Sequence, residues 1–190
     1  MAKTYSWSTN QEELRRLFTL TPHDHRFLLP LRADAQRLYR ALVLVWARVE
    51  RVLLSETDGI PDEVMSHVSK QLNLKPSVLS QWRNHPSARS ATFDAVRTHL
   101  EVRAWQESDA EALSAYLIEK VPHTGNTAAL FDAATDWMIR MGVLRPQGDT
   151  TIDRLIYRAR NQAEEGLFEQ MLAQLSPEDQ AKLDALLDTS

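Results

Sequence analysis

From Leu31 to Ser55 the chain runs without glycine or proline, and Leu38, Leu42, Val45, Val49, Val52 and Leu53 fall on one helical face. Val43–Val45 would suit a strand, but the uninterrupted length favours a long buried helix. Around it, cap signals recur ahead of patterns with helical period. Thr9-Asn10-Gln11-Glu12 reads as a capping box opening a helix through Phe18. Thr21-Pro22-His23-Asp24 sets a cap, a first-turn proline and an acid in helix-start order. After the turn Asp58-Gly59-Ile60-Pro61, helices fit at 61–72, 76–83 and 86–99.

The second half repeats the grammar. Ser108-Asp109-Ala110-Glu111 is a capping box before a helix ending near Val121. Asn126 can cap a helix that stops at Gly142. Thr151 can cap a long helix, 152–175, and Ser176-Pro177-Glu178-Asp179 opens the last one. No segment alternates with period two between turn signals. The expectation is an all-α protein of two small helical lobes with helix-turn-helix-like corners and a long C-terminal helix pair. The boundary is placed near Trp105–Ser108, giving domains at 1–105 and 106–190, with the helix-turn-helix at 61–83.

Charge sharpens this picture. The net formal charge is −4, yet residues 26–51 carry +4, residues 140–160 carry +3 and residues 161–190 carry −6. Arginine supplies 17 of the 22 basic residues, and its planar fork suits phosphates and guanine edges. Cysteine is absent, which excludes disulfides and thiolate metal sites. The longest apolar run, Ala41–Ala47, falls far short of a membrane span. The opening MAKTYSWSTNQEE lacks an apolar signal region. A soluble cytoplasmic protein is expected.

Two corners carry candidate chemistry. In VSKQLNLKPSVLSQW (68–82), Ser69, Leu72, Asn73 and Leu74 have the character of a helix end and a left-handed turn. Leu79 and Trp82 would face inward, leaving Lys75, Ser77, Ser80, Gln81 and Asn84 outward, as donors and acceptors for base edges and phosphates. Ordinary helical corners share this pattern, and spacing alone does not separate the two. At the second corner Ile152, Leu155, Ile156 and Ala159 form an inward stripe, while Arg154, Tyr157, Arg158, Asn161 and Arg160 point elsewhere. Cations gathered at the positive end of a helix favour an anionic partner, although a solvated basic face would read the same. Arg145 and the arginines of 26–51 are candidate phosphate clamps. His23-Asp24-His25 has a ligand-like His-x-His spacing, but Asp24 already serves as a first-turn acid and no further ligand cluster accompanies it. No glycine-rich phosphate loop, nucleophile elbow or HExxH motif is present, so no active site, metal or cofactor is expected.

Several blocks, in order, now carry a resemblance: LRRLFTLTPHD (14–24), RLYRALVLVWAR (37–48), IPDEVMSHVSKQLNLKPSVLSQW (60–82), FDAVRTHLEVRAW (93–105), LFDAATDWMIRMGVLRPQGDTTIDRLIYRARNQAEE (130–165) and LSPEDQAKLDALL (175–187). The chain resembles the N-terminal region of the large replicative transposases of the Tn-three type, from about Tyr5 to Leu187. The resemblance implies a helical module that binds the terminal inverted repeats of a transposon. It also implies that the catalytic acids lie in a nuclease-like domain towards the C-terminus of a much longer protein, so this chain is not itself a catalyst. The matching stretch WRNHPSARSAT (82–92) departs from the family: Arg89 is kept, while His85, Ala88 and Thr92 stand where the family has Arg, Thr and His.

Together these readings give sequence-specific binding of double-stranded transposon ends through Lys75, Ser77, Ser80, Gln81, Asn84, Arg89, Arg145, Thr151, Arg154, Arg158 and Arg160. Such a protein would sit with the bacterial nucleoid, with a second copy or the remainder of a transposase as partner. The alternative is a helical interaction module, or a truncated transposase acting as regulator, docking through the apolar-acidic residues Leu167–Leu187.

Overall fold

The computed structural model describes residues 11–57, 59–82, 86–124, 126–146, 150–174 and 176. Those residues form α1 (Gln11–Phe18), α2 (Pro22–Leu28), α3 (Asp34–Glu50), α4 (Asp62–Gln71), α5 (Pro86–Leu100), α6 (Glu107–Lys120), α7 (Thr127–Arg140) and α8 (Thr151–Gln174), with 3₁₀ turns at Pro76–Gln81 and Val121–His123. The protein is all-α, as its periodicity predicts. Thr9 and Asn10, the expected cap of α1, and the expected helix beyond Ser176 lie outside the described residues.

The chain divides into two units. The first holds α1–α5, up to Ala104, and also Gly142–Arg145. Its axis is α3, in which every residue from Ala41 to Ala47 is buried. A helix enclosed all round explains why these seven residues carry no polar face. The helix ends earlier than the sequence pattern predicts: Arg51 turns left-handed at φ 60°, and Leu53 is buried in the core. The Tyr39 hydroxyl donates to the Leu54 carbonyl at 3.1 Å, tying the returning strand of chain to the helix.

Asp24 fixes α2 to α3 and α5. It accepts from the Thr21 backbone N–H at 2.7 Å, while Thr21 Oγ1 accepts from the Asp24 N–H at 3.2 Å, completing a capping box. It also binds Arg48 at 2.6 Å and His99 Nε2 at 2.8 Å. Burial pushes this carboxyl's pKa up, but the Arg48, His99 and Thr21 bonds together outweigh it and hold Asp24 well below the usual carboxylate range. The His99 ring lies between those of His23 and Phe27, at centroid distances of 4.4 and 4.2 Å. His23 and Asp24 are therefore engaged in a structural joint, and no group of three or more His, Cys, Asp or Glu that could hold a metal ion occurs among the described residues.

Gly142–Arg145 joins this unit through the backbone. Arg103 N–H donates to the Gly142 carbonyl at 2.8 Å, Leu144 N–H to Arg103 at 2.9 Å, and Arg145 N–H to Arg51 at 2.7 Å. Val143 and Leu144 are buried. Gly142 ends the turn after α7 with φ 61°, a conformation a side chain strains.

The second unit packs α6, α7 and α8 around Leu113, Leu117, Leu130, Met138, Ile152 and Ile156. Its caps refine the expected ones. Asn126 Oδ1 accepts from the Ala129 N–H at 2.7 Å, as expected. The capping box of α6 is formed by Gln106 and Asp109 rather than Ser108 and Glu111, because the buried Asp109 carboxylate reaches back to the Gln106 N–H at 2.8 Å. At α8, the Thr150 carbonyl accepts from the Arg154 N–H at 2.9 Å, so Thr151 lies just inside the helix rather than capping it.

Candidate nucleic-acid interface

The corner at 68–82 begins as the sequence predicts. Asn73 adopts φ 54°, Leu74 N–H donates to the Ser69 carbonyl at 2.9 Å, and Ser69 is small enough to be buried there. The second limb differs. It is a six-residue 3₁₀ turn, Pro76–Gln81, rather than an α-helix over 76–83. Lys75 is extended, Pro76 starts the turn, and the Ser80 hydroxyl donates to the Ser77 carbonyl at 2.8 Å. Such local side-chain bonds compete with the α-helical ladder.

A 3₁₀ turn has three residues per turn, so side chains three apart eclipse. Leu79 and Trp82 therefore still share a face. Both are half-buried against the first unit's core, and Trp82 stacks on Tyr39 with centroids 4.8 Å apart and planes 20° apart. Lys75, Ser77, Ser80 and Gln81 are all exposed, whereas Asn84 lies outside the described residues. Arg89, on α5, is half-buried. It lies near enough to Tyr39 to oppose the upward push that burial gives that phenol's pKa.

The proposed phosphate clamps separate into two groups. Arg26 and Arg32 are exposed. Arg48 is committed to Asp24, Arg37 donates twice to the Leu31 carbonyl, and Arg40 lies over the Phe27 ring at 5.6 Å. Arg145 is half-buried beside Glu50. Burial raises the Glu50 pKa, and the Arg145 charge partly offsets that.

In the second unit, Thr150, Asp153, Arg154, Tyr157 and Arg158 border a shallow cavity of about 340 Å³ at the start of α8. Arg154 and Arg158 are exposed, and Tyr157 is 66% exposed, so a ring and two guanidinium groups face solvent one turn apart. Sequence spacing placed Tyr157 outward without making it a binding residue. An exposed aromatic between arginines is the overlooked signal, since such a ring can stack on a base or a sugar. Arg160 points to another side, donating to Thr127 Oγ1 at 3.2 Å and lying 3.7 Å from Glu164. Arg140 is spent on the Tyr116 ring, 5.3 Å away.

A third feature leaves little trace in the sequence. A cavity of about 360 Å³ between α1 and α4 is lined by Gln11, Leu14, Arg15, Glu63, Ser66, His67 and Lys70. Glu63, Ser66, His67 and Lys70 recur at helical spacing, and that spacing was its only signal.

These features define an all-helical chain of two units, each with polar or basic side chains presented at a helix or turn beside its own core. The chain belongs to the family described as Domain of unknown function (DUF4158), whose model matches residues 2–159. It is similar to the transposase for transposon Tn1546 of Enterococcus faecium, 24% identical over 90% of this chain and 17% of that protein. It is also similar to the transposase for transposon Tn501 of Pseudomonas aeruginosa, 26% identical over 94% of this chain and 18% of that protein. The transposase for transposon gamma-delta of Escherichia coli is 27% identical over 89% of this chain and 17% of its own length. The chain thus spans less than a fifth of the curated relatives it matches. Among the described residues, no helix is long and apolar enough to cross a membrane.

Proposed function

We propose that this chain is a DNA-recognition module of a transposase, binding double-stranded transposon ends in a sequence-dependent way and leaving the chemistry of transposition to another part of a longer protein. The observation that carries this reading is the limb Lys75–Trp82. Leu79 and Trp82 are held against the core, while Lys75, Ser77, Ser80 and Gln81 stand exposed beside them. A rigid limb with short polar side chains and one cation can approach a groove closely, because little conformational entropy is lost on contact. Arg154, Tyr157 and Arg158 give the second unit its own contact set, suited to phosphate and sugar. The kinship with transposases supports this assignment, and the module acts without cofactor or metal.

The test is a gel-shift titration against a duplex bearing the inverted repeats that flank the coding region, and against the same bases scrambled. Tight, sequence-dependent binding that weakens steeply with salt is expected; with six to ten phosphates neutralised, affinity falls roughly 10³–10⁵-fold between 50 and 200 mM salt. Equal and weak binding to both duplexes rejects the reading.

One observation favours a second role alongside the first. Leu167, Phe168 and Met171 on α8 are exposed at 59%, 57% and 59%. Three neighbouring apolar side chains on one stretch of helix mark a protein-contact surface, here for a second copy or the remainder of a transposase. Light scattering with and without DNA separates these roles: a stable dimer indifferent to DNA supports interaction as the main function.

A further inference from the structure

The cavity between α1 and α4 has no part in the DNA contacts proposed for Lys75–Gln81 and for Arg154, Tyr157 and Arg158. Its wall holds two permanent cations, Arg15 and Lys70, one acid, Glu63, and an imidazole, His67, with Gln11 and Ser66 as neutral hydrogen-bond partners. Lys70 is exposed and His67 is half-buried. His67 Nε2 lies 3.5 Å from Thr19 Oγ1, which fixes the ring at the cavity edge. The α4 backbone around it is pinned by Gln71, whose Nε2 donates to the carbonyls of Phe18 at 3.1 Å and His67 at 3.3 Å, while its Oε1 accepts from the Leu20 N–H at 2.7 Å. The walls are therefore cross-braced.

Charge identifies the occupant. With His67 neutral the lining carries one net positive charge, and with His67 protonated it carries two. Around His67 stand Arg15 from α1 and Glu63 and Lys70 from α4. The helix packed behind both, α3, contributes no residue to the lining. Burial first, then Arg15 and Lys70, lower the His67 pKa. An anion seated among these groups would reverse the electrostatic part of that effect. Position fits as well: α4 is the first helix of the corner, and in helix-turn-helix proteins that helix crosses the sugar-phosphate backbone.

We propose that the α1/α4 cavity seats a backbone phosphate of bound DNA on Arg15, Lys70 and His67, with His67 taking up a proton as the phosphate enters. This site rests on the DNA-binding reading and adds a pH dependence to it. One proton taken up per phosphate bound makes affinity rise by up to about tenfold per pH unit of acidification across the interval where His67 titrates. Glu63 lines the same space and offsets part of the positive charge of Arg15 and Lys70.

The experiment follows the His67 ring by NMR, its resonance assigned by its loss in His67→Gln. The intact chain is titrated in pH alone, with a random-sequence duplex at low salt, and with inorganic phosphate at matched ionic strength. The expected result is a His67 midpoint that rises with duplex, rises less in Arg15→Gln, and an affinity gain on acidification that His67→Gln loses while still binding at neutral pH. Duplex binding with an unmoved His67 midpoint overturns this site and leaves the DNA reading standing. No duplex binding at any pH, with the inverted-repeat duplex included, overturns both. A midpoint that moves with inorganic phosphate but not with duplex also overturns the site, because the cavity would then hold only a small free anion.

Discussion

The Trp82 indole lies flat on the Tyr39 ring, 4.8 Å between centroids, and this stack joins the exposed limb of the corner to the central helix of the first unit. Because Tyr39 is fully enclosed, the limb's position is set by the core. Trp82→Ala should therefore cost about 2 kcal/mol of stability, less than a fully buried aromatic. It should also lose more of the preference for cognate over scrambled DNA than of total binding. Trp82→Phe should keep most of both. Denaturant melts and paired gel shifts check this.

Base and phosphate contacts should separate by their salt behaviour. Gln81→Ala should cost about 1–3 kcal/mol of discrimination at one base pair and leave the salt slope unchanged. Arg158→Ala should weaken all duplexes alike and reduce the slope of log affinity against log salt by about 0.9. Identical effects from the two substitutions would refute the division of labour.

Asp24 predicts a stability change with a defined sign. It is 1% exposed and its partner His99 is nearly as buried, so Asp24→Asn should destabilise the first unit by about 3 kcal/mol. The folded state holds this carboxyl below the pKa of an unfolded aspartate. Its contribution is therefore complete above about pH 4 and disappears as the pH falls further. The gap between wild-type and variant melting temperatures should narrow on acidification through that range. A gap that stays constant through that range would show that Asp24 acts by packing alone.

Gly142→Ala should cost about 1–2 kcal/mol, since φ is +61° and the added methyl would meet the Glu101 carbonyl oxygen at 3.4 Å. Thermal melts should show the loss, with helix content preserved below the transition.

Much of the fold was legible in the chain because its helices announce themselves locally. Asn126, Pro22 and Gly142 sit at the ends their chemistry favours, and Ala41–Ala47 has no polar face to expose. What was not legible depends on partners distant in sequence. The end of α3 at Glu50 involves a chain return secured by Tyr39 and Leu54. The 3₁₀ form of Pro76–Gln81 reflects a short serine bond and a ring stack onto Tyr39, neither of which leaves a periodic trace. The basic count of residues 26–51 misled for the same reason: Arg48 and Arg37 are used inside the fold, and composition cannot distinguish a spent guanidinium from a free one. The cavity lined by Arg15 and His67 needed two helices to be brought together before it existed.

The return of Gly142–Arg145 to the first unit bears on how such a chain can evolve. Residues from its middle fill the core of a unit that otherwise ends at Ala104, with Val143 and Leu144 buried there. A gene fusion or deletion that breaks at position 105 would strip the first unit of those two side chains. Separating the two units at that point therefore costs the first one part of its packing, although each has its own core.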